Sequence, residues 1–290
     1  MRRALLFVND EASQAERRTD EIVAALTAGG LQVECVEVPC DDYAGRLRAR
    51  LGDADLLVVA GGDGTVRCAA EAIMQVADGR LPLGIVPLGT ANNVARSLGL
   101  PLTIPAACRA IADGRTVPMD LGRVNGRLFV SVVGIGFSTH VHEHVPAAQK
   151  KRWGSLSYAF QAGKLLFHRP PVFRAEIRSD AGTQRVKALQ ITVCNGRYYG
   201  AHLQIHPEAS LSDGWLDLSV VESKNWIRGV FKTLLPLPPG HVSPGLRLMR
   251  ARRFEIVCRP VMKLDVEGAI DLSTPARFDL LPSALQVFAP

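Results

Sequence analysis

Four times in its first hundred residues the sequence passes from a short strand-like run into a stretch with helical spacing. Residues 4–8 are uninterruptedly apolar, and residues 13–28 place Ala15, Ile22, Val23 and Leu26 on one helical face before Gly29-Gly30. Residues 31–38 alternate with period two up to Pro39, and a short helical stretch follows at 46–51. Residues 55–60, Asp followed by five apolar residues, read as a buried strand, then come glycines and a helical stretch at 66–77. Residues 83–86 lead through Pro87 and a loop to a helix near 93–98. Strands apolar throughout are covered on both faces, so the pattern predicts a parallel sheet with helices on each side.

The second half changes character. Residues 120–125 and 127–133 flank Asn125-Gly126, a hairpin-turn pair. Further strands are expected at 172–178, 186–194, 216–221, 253–258 and 262–266, with helices near 155–167 and 225–235. Short antiparallel strands at these intervals read as a β-sandwich. A chain of 290 residues exceeds what one hydrophobic core usually supports, so two domains are expected, α/β over 1–122 and all-β over 123–280.

Charge separates the halves as well. Through Gly122 there are 12 Lys and Arg against 16 Asp and Glu; from Arg123 onward there are 22 against 12. The surplus gathers in Lys150-Lys151-Arg152 and in Arg247, Arg250, Arg252 and Arg253. A basic half suits an anionic surface, although a solvated basic face is the plain alternative. Nucleic acid is not expected, since aromatic residues are 6% and no nucleic-acid motif is present. An anionic membrane leaflet fits better. No stretch reaches the ~18 apolar residues of a spanning helix, and the first apolar run stops at Asn9-Asp10-Glu11, too early for a secretory signal. Six cysteines without a CxxC pair are expected to be reduced, mostly buried thiols of a cytosolic chain.

The most informative segment is 55–66, Asp-Leu-Leu-Val-Val-Ala-Gly-Gly-Asp-Gly-Thr-Val. A buried strand runs straight into glycines and a helix, so backbone N–H groups and a helix N-terminus converge at the sheet's carboxyl edge. That arrangement suits phosphate. It is neither a Walker A loop nor a GxGxxG fingerprint. Asp63 is unusual beside phosphates and implies an intervening Mg²⁺ or ordered water. The segment 87–100 repeats the arrangement one strand later, with Gly89 at the turn and Thr90, Asn92 and Asn93 at the strand's end. Neighbouring loops at a carboxyl edge can line one crevice.

These two segments, with 120–126, Gly134-Ile135-Gly136-Phe137, 193–218 and 241–256, resemble the diacylglycerol kinase-type lipid kinases, among them the bacterial soluble diacylglycerol kinases and YegS-like lipid kinases. The resemblance implies a phosphofructokinase-like nucleotide domain, a C-terminal β-sandwich that takes the lipid, and an active site between them. The strand in 281–290 would return to the first domain. ATP with Mg²⁺ would phosphorylate a lipid hydroxyl such as that of diacylglycerol. Gly61, Gly62, Asp63, Gly64, Thr65, Val66, Arg67, Gly89, Thr90 and Asn92 would hold the nucleotide. Ser210, Asp213 and Trp215 match the family's structural Mg²⁺ site, the first and last through carbonyls. The protein would be cytoplasmic and peripherally attached to the membrane; a homodimer stays open.

The chain departs from the pattern in four places. Arg67 and Cys68 stand where the family has Asn-Glu, and Asn92-Asn93 replaces Asn-Asp. Arg67 either touches a phosphate or blocks the site. The family's Asp-Gly-Glu aligns as Asp265-Val266-Glu267 or as Glu267-Gly268-Ala269. Both keep Glu267, which is expected to be the base that takes the hydroxyl proton, with Asp265 as partner or Mg²⁺ ligand. His140, His142 and His144 form a conceivable metal site that a short helix there would disfavour. The apolar faces of 156–167 and 226–237, with Trp153, are read as core with a share lining a lipid entrance. Two rivals remain: a nucleotide-binding sensor or adaptor without catalysis, and an NAD kinase.

Overall fold

The computed structural model describes residues 1–8, 15–144, 172–199, 203–204, 206, 208–222 and 246–290. The chain divides into two units, Met1–Leu121 with Leu281–Pro290, and Gly122–Leu280. The expected basic run at 150–152, Trp153, the helices near 155–167 and 225–235 and the apolar stretch 226–237 lie outside the described residues.

The first unit runs β1 (Arg2–Val8), α1 (Ala15–Ala28), β2 (Leu31–Glu37), a 3-10 turn (Cys40–Asp42), α2 (Tyr43–Arg50), β3 (Leu56–Gly61), α3 (Asp63–Ala77), β4 (Leu83–Pro87), α4 (Asn93–Ser97), α5 (Ile104–Asp113) and the start of β5 (Thr116–Val124). The strands pair in parallel in the order β2-β1-β3-β4, and Val287 near the C-terminus extends the sheet beside Leu83. Alternation sorts the side chains. Ala4, Leu6 and Val8 share a core with Ile22 and Leu26 of α1 and Cys108 and Ile111 of α5. Phe7 points the other way, against the Tyr43 ring of α2, with centroids 5.0 Å apart. Leu56, Leu57, Val58 and Val59 are all buried, as a central strand covered on both faces requires. Each fully buried aliphatic side chain stabilises the unit by about 1.5–3 kcal/mol.

Two expectations change here. Helix α3 begins at Asp63, three residues before its apolar periodicity. Its first turn is therefore built from the glycine segment, where periodicity carries no signal. The cysteines are not all free: Cys40 and Cys68 form a disulfide with Cα atoms 5.7 Å apart, within the usual bridging range. Spacing along the chain could not show this, because α2 and β3 intervene and only the fold brings the pair together. Cys35 is exposed and free, while Cys108, Cys194 and Cys258 are free and buried. Burial pushes the Cys108 and Cys258 thiols up to about 11, so they act as small apolar side chains.

The second unit continues with β6 (Arg127–Phe129), β7 (Val132–Gly136), α6 (Phe137–His144), β8 (Phe173–Ser179), β9 (Gly182–Cys194), β10 (Tyr198–Tyr199), β11 (Leu203–Gln204), β12 (Leu216–Glu222), β13 (Leu246–Ala251), β14 (Arg253–Arg259), β15 (Lys263–Val266), β16 (Ala269–Ser273) and β17 (Ala276–Phe288), the last ending in the first unit. Antiparallel pairing gives the order β16-β15-β7-β9-β8-β14-β17, with β12 and then β13 branching from β9. The β-sandwich core gathers Phe129, Phe173, Phe254 and Phe278, and the rings of Phe129 and Phe278 meet edge to face at 6.2 Å. Asn125 and Gly126 have φ of 48° and 91°, the signs a type I′ hairpin turn needs. Helix α6 carries the three histidines of 140–144. Among the described residues no cluster of three or more His, Cys, Asp or Glu could hold a metal, and no helix is long and apolar enough to cross a membrane.

Candidate active site

Strands β3 and β4 end level with each other, Gly61 opposite Pro87, so the two glycine turns leave the sheet side by side. The Leu88 N–H donates to the Gly61 carbonyl at 3.0 Å, tying the turns at their base. Farther out they touch. A Cβ on Gly62 would stand 3.2 Å from the Gly89 Cα, and one on Gly89 would overlap Gly62. A Cβ on Gly61 would overlap the Thr65 side chain. Glycine is thus a steric requirement at Gly89 for the contact and at Gly61 for the packing of Thr65, and Gly62 sits in a tight approach.

Asp63, the first residue of α3, links the turns a second time. Its Oδ2 accepts the Asn93 N–H at 3.0 Å and its Oδ1 accepts the Val94 N–H at 2.9 Å. The carboxylate therefore caps the start of α4. These backbone donors of α4 give Asp63 partners besides the Mg²⁺ or ordered water expected from the sequence. Burial still outweighs those bonds and raises its carboxyl above the ordinary value.

What remains at the surface of the paired turns suits an anion. The Gly62 N-cap makes no side-chain capping bond, and N–H groups in the first turn of α3 have no intrahelical acceptor. A Cβ on Gly64 would meet nothing within 4 Å, so this turn has open space beside it. Thr90 is exposed, and Asn92, left-handed with φ of 50°, donates Nδ2–H to the Gly89 carbonyl at 2.8 Å. Asn92 Oδ1 is buried and has no hydrogen-bond donor. The Val66 side chain, by contrast, is core, and only its backbone belongs to the turn. Arg67 lies along α3 with Nη1 2.8 Å from Glu71 Oε2 and Nη2 3.8 Å from Cys68 Sγ.

In the second unit the damaged carboxylate motif forms a tight hairpin. Val266 pairs with Ala269 across Glu267 and Gly268, whose φ values are 54° and 97°. Asp265 Oδ1 accepts the Gly268 N–H at 2.8 Å, which closes the turn. Glu267 Oε1 accepts the Val130 N–H at 2.9 Å and the Ser131 N–H at 2.6 Å. Asn195 fixes that linker in turn, donating its N–H to the Ser131 carbonyl at 2.8 Å and Nδ2–H to the Val130 carbonyl at 3.2 Å. Glu267 is a positioned carboxylate, and Asp265 helps to shape the hairpin that positions it.

Ser210, Asp213 and Trp215 share one turn. Asp213 Oδ2 accepts the Ser210 N–H at 3.1 Å and Oδ1 accepts the Trp215 N–H at 3.0 Å. Burial raises the Asp213 carboxyl and outweighs the two backbone bonds and the nearby Arg250, which act the other way. A half-buried carboxylate is a hard oxygen ligand of the kind Mg²⁺ takes, so Asp213 fits such an ion. Sequence reasoning missed Arg250 here. Its guanidinium grips Asp217 with two bonds of 2.9 and 3.0 Å and stands 3.3 Å from Asp213. The partners are 33 and 37 residues apart, and only the β12–β13 pairing joins them.

Residues 3–124 match the diacylglycerol kinase catalytic domain family, and residues 131–289 match the YegS C-terminal NAD kinase beta sandwich-like domain family. A Klebsiella pneumoniae protein named "Probable lipid kinase YegS-like" is 32% identical over 240 residues, 82% of this chain and 79% of that relative. The "Diacylglycerol kinase" of Bacillus subtilis is 26% identical over 296 residues, 100% of this chain and 97% of that relative. Among solved structures, a diacylglycerol kinase from Bacillus anthracis superposes with a TM-score of 0.78 at 24% identity, covering 100% of this chain and 97% of the other; this likeness concerns the fold.

Proposed function

The chain belongs to the family of diacylglycerol kinase-type lipid kinases, and from that premise we propose that it transfers the γ-phosphoryl group of MgATP to the hydroxyl of diacylglycerol or a related lipid at a membrane surface. One observation supports the nucleotide assignment above all. Two glycine turns at the ends of adjacent parallel strands are in contact, locked by Asp63, and leave helix-start N–H groups and open space at Gly64.

The chain's own groups divide the work. Backbone N–H groups of Gly62, Asp63, Gly64 and Thr65 would meet phosphate oxygens, with the exposed Thr90 hydroxyl as a side-chain donor. Binding a phosphate chain there fixes it in line for attack, which is most of what phosphoryl transfer needs from a protein. Arg67, held by Glu71, gives the turn a flanking positive charge without filling the space beside Gly64. In the second unit Glu267 would take the lipid hydroxyl proton as the oxygen attacks phosphorus. Its Oε1 bonds to two backbone N–H groups hold the carboxylate at a fixed position. Asp213, with the Ser210 and Trp215 carbonyls, would hold a Mg²⁺ ion that neutralises charge and stiffens its turn. The basic second half would bring the protein to an anionic leaflet.

The test is transfer of label from [γ-³²P]ATP and Mg²⁺ into a panel of diacylglycerol, phosphatidylglycerol and sphingoid bases. The expected result is one labelled lipid class, with at least a hundredfold lower kcat and a nearly unchanged ATP KM for Glu267→Gln. No labelled lipid, with MgATP bound but not turned over, would leave the sensor reading. Formation of NADP from NAD and ATP would move the chain to NAD kinase.

A further inference from the structure

We propose that Cys40 and Cys68 form a reversible thiol–disulfide site that sets the nucleotide affinity of the glycine turn. The proposal rests on the assignment of that turn to MgATP. Two observations place the bridge on the turn. Cys68 lies in α3 one residue beyond Arg67, so the bond fastens the helix whose first turn is the glycine segment. Cys40, in the 3-10 turn after β2, has its sulfur 3.9 Å from the Gly64 carbonyl oxygen. The bond therefore fixes a distant loop beside Gly64 and onto the helix that the phosphate-facing turn begins. Opening it leaves Gly64 backed by a weak S–H···O contact and α3 attached at Cys68 through packing alone.

The two sulfurs are set up unequally for exchange. Cys40 is half-exposed and Cys68 is buried, so an incoming thiolate reaches the Cys40 sulfur first. Arg67 Nη2 stands 3.8 Å from Cys68 Sγ, where positive charge favours a thiolate leaving group. A dithiol such as dithiothreitol supplies the electrons. Its thiolate attacks Cys40 Sγ, the protein S–S bond breaks, and the electron pair leaves on Cys68 Sγ, which takes a proton. The reductant's second thiolate then attacks the mixed disulfide, releasing Cys40 as a thiolate that is protonated and leaving a cyclic disulfide. Two electrons and two protons pass to the protein. Oxidised dithiol reverses each step.

The bridged form holds the turn preorganised, so it binds MgATP more tightly. The experiment uses the full chain in a Cys35→Ser background, because Cys35 is an exposed free thiol. Alkylation followed by mass spectrometry counts the thiols at Cys40 and Cys68, and titration calorimetry gives the Kd for MgATP. We expect no alkylation at either residue after oxidised dithiol, a three- to tenfold weaker Kd after reduction, and recovery on reoxidation. Cys40→Ser/Cys68→Ser holds the reduced value under both conditions. Free-thiol alkylation of both residues in oxidant-treated protein, or Kd values equal within twofold, overturns the switch. A bridged protein that binds no MgATP in either state overturns the nucleotide assignment itself and the coupling with it.

Discussion

Asp63 shows how one side chain can serve a site without touching its ligand. Its two carboxylate oxygens each accept a backbone N–H from the second turn, thirty and thirty-one residues away. Asn in its place accepts only one such bond and turns an NH₂ toward the other donor. Asp63→Asn should destabilise the protein by about 1–3 kcal/mol and weaken MgATP binding. The pH dependence has a definite sign. Burial raises the folded carboxyl above its ordinary 3.8, so the folded state holds this proton more tightly than the unfolded chain does. The Asp63 contribution is therefore largest below 3.8, declines as pH rises through the raised value, and is level above it. Urea titrations of wild type and Asp63→Asn across that window should show the gap between them narrowing with pH; a widening gap would mean that the two backbone bonds outweigh burial, and would contradict the raised carboxyl. The sequence marked Asp63 as unusual, but its partners are backbone groups that only the β3–β4 alignment brings near, so its role was not legible. Glu267 was legible as the surviving acid under either alignment, whereas its anchoring by Val130 and Ser131 was not.

Elements were readable where burial was one-sided in its demands. β3 and β4 are apolar because both faces are covered, and Asn125-Gly126 names its own turn. β13, Leu-Arg-Leu-Met-Arg-Ala, was missed because its charges hide a strand of largely half-buried residues. α5 was missed because it is short and carries Pro105 in its first turn. The β12–β13 pairing then creates what neither strand shows alone, the ion pair of Arg250 with buried Asp217 beside Asp213. Bonding to Asp217 holds the Arg250 proton more tightly than usual. Arg250→Met keeps the length and removes the charge, leaving Asp217 buried and unpaired. The expected cost is about 3–5 kcal/mol, read as a fall in Tm. Magnesium should restore more Tm in this variant than in wild type, because a cation at Asp213 replaces part of the lost charge. An unchanged Tm for the variant, or no magnesium effect on it, contradicts this account of the turn.

At the scale of the molecule, charge is divided rather than diffuse. Twenty-two Lys and Arg against twelve Asp and Glu follow Gly122, while the preceding part is weakly acidic. Each basic side chain docked on an anionic leaflet contributes about 1 kcal/mol, screened within a Debye length. Sedimentation with phosphatidylglycerol vesicles should therefore show binding that falls steeply as NaCl rises from about 0.05 to 0.5 M. Equal binding to uncharged phosphatidylcholine vesicles contradicts an electrostatic approach. The lipid itself was not legible, since acyl pockets are built from generic apolar side chains that read as core. The paired glycine turns remain the centre of the account, and Gly64 tests them most directly because its Cβ space is open. The decisive measurement compares MgATP affinity and Tm for wild type and Gly64→Ala. A nucleotide phosphate in that space predicts at least a tenfold weaker Kd with an unchanged or slightly higher Tm, as expected when Ala replaces Gly in a helix. Equal affinities at equal Tm would show that nothing binds against the turn.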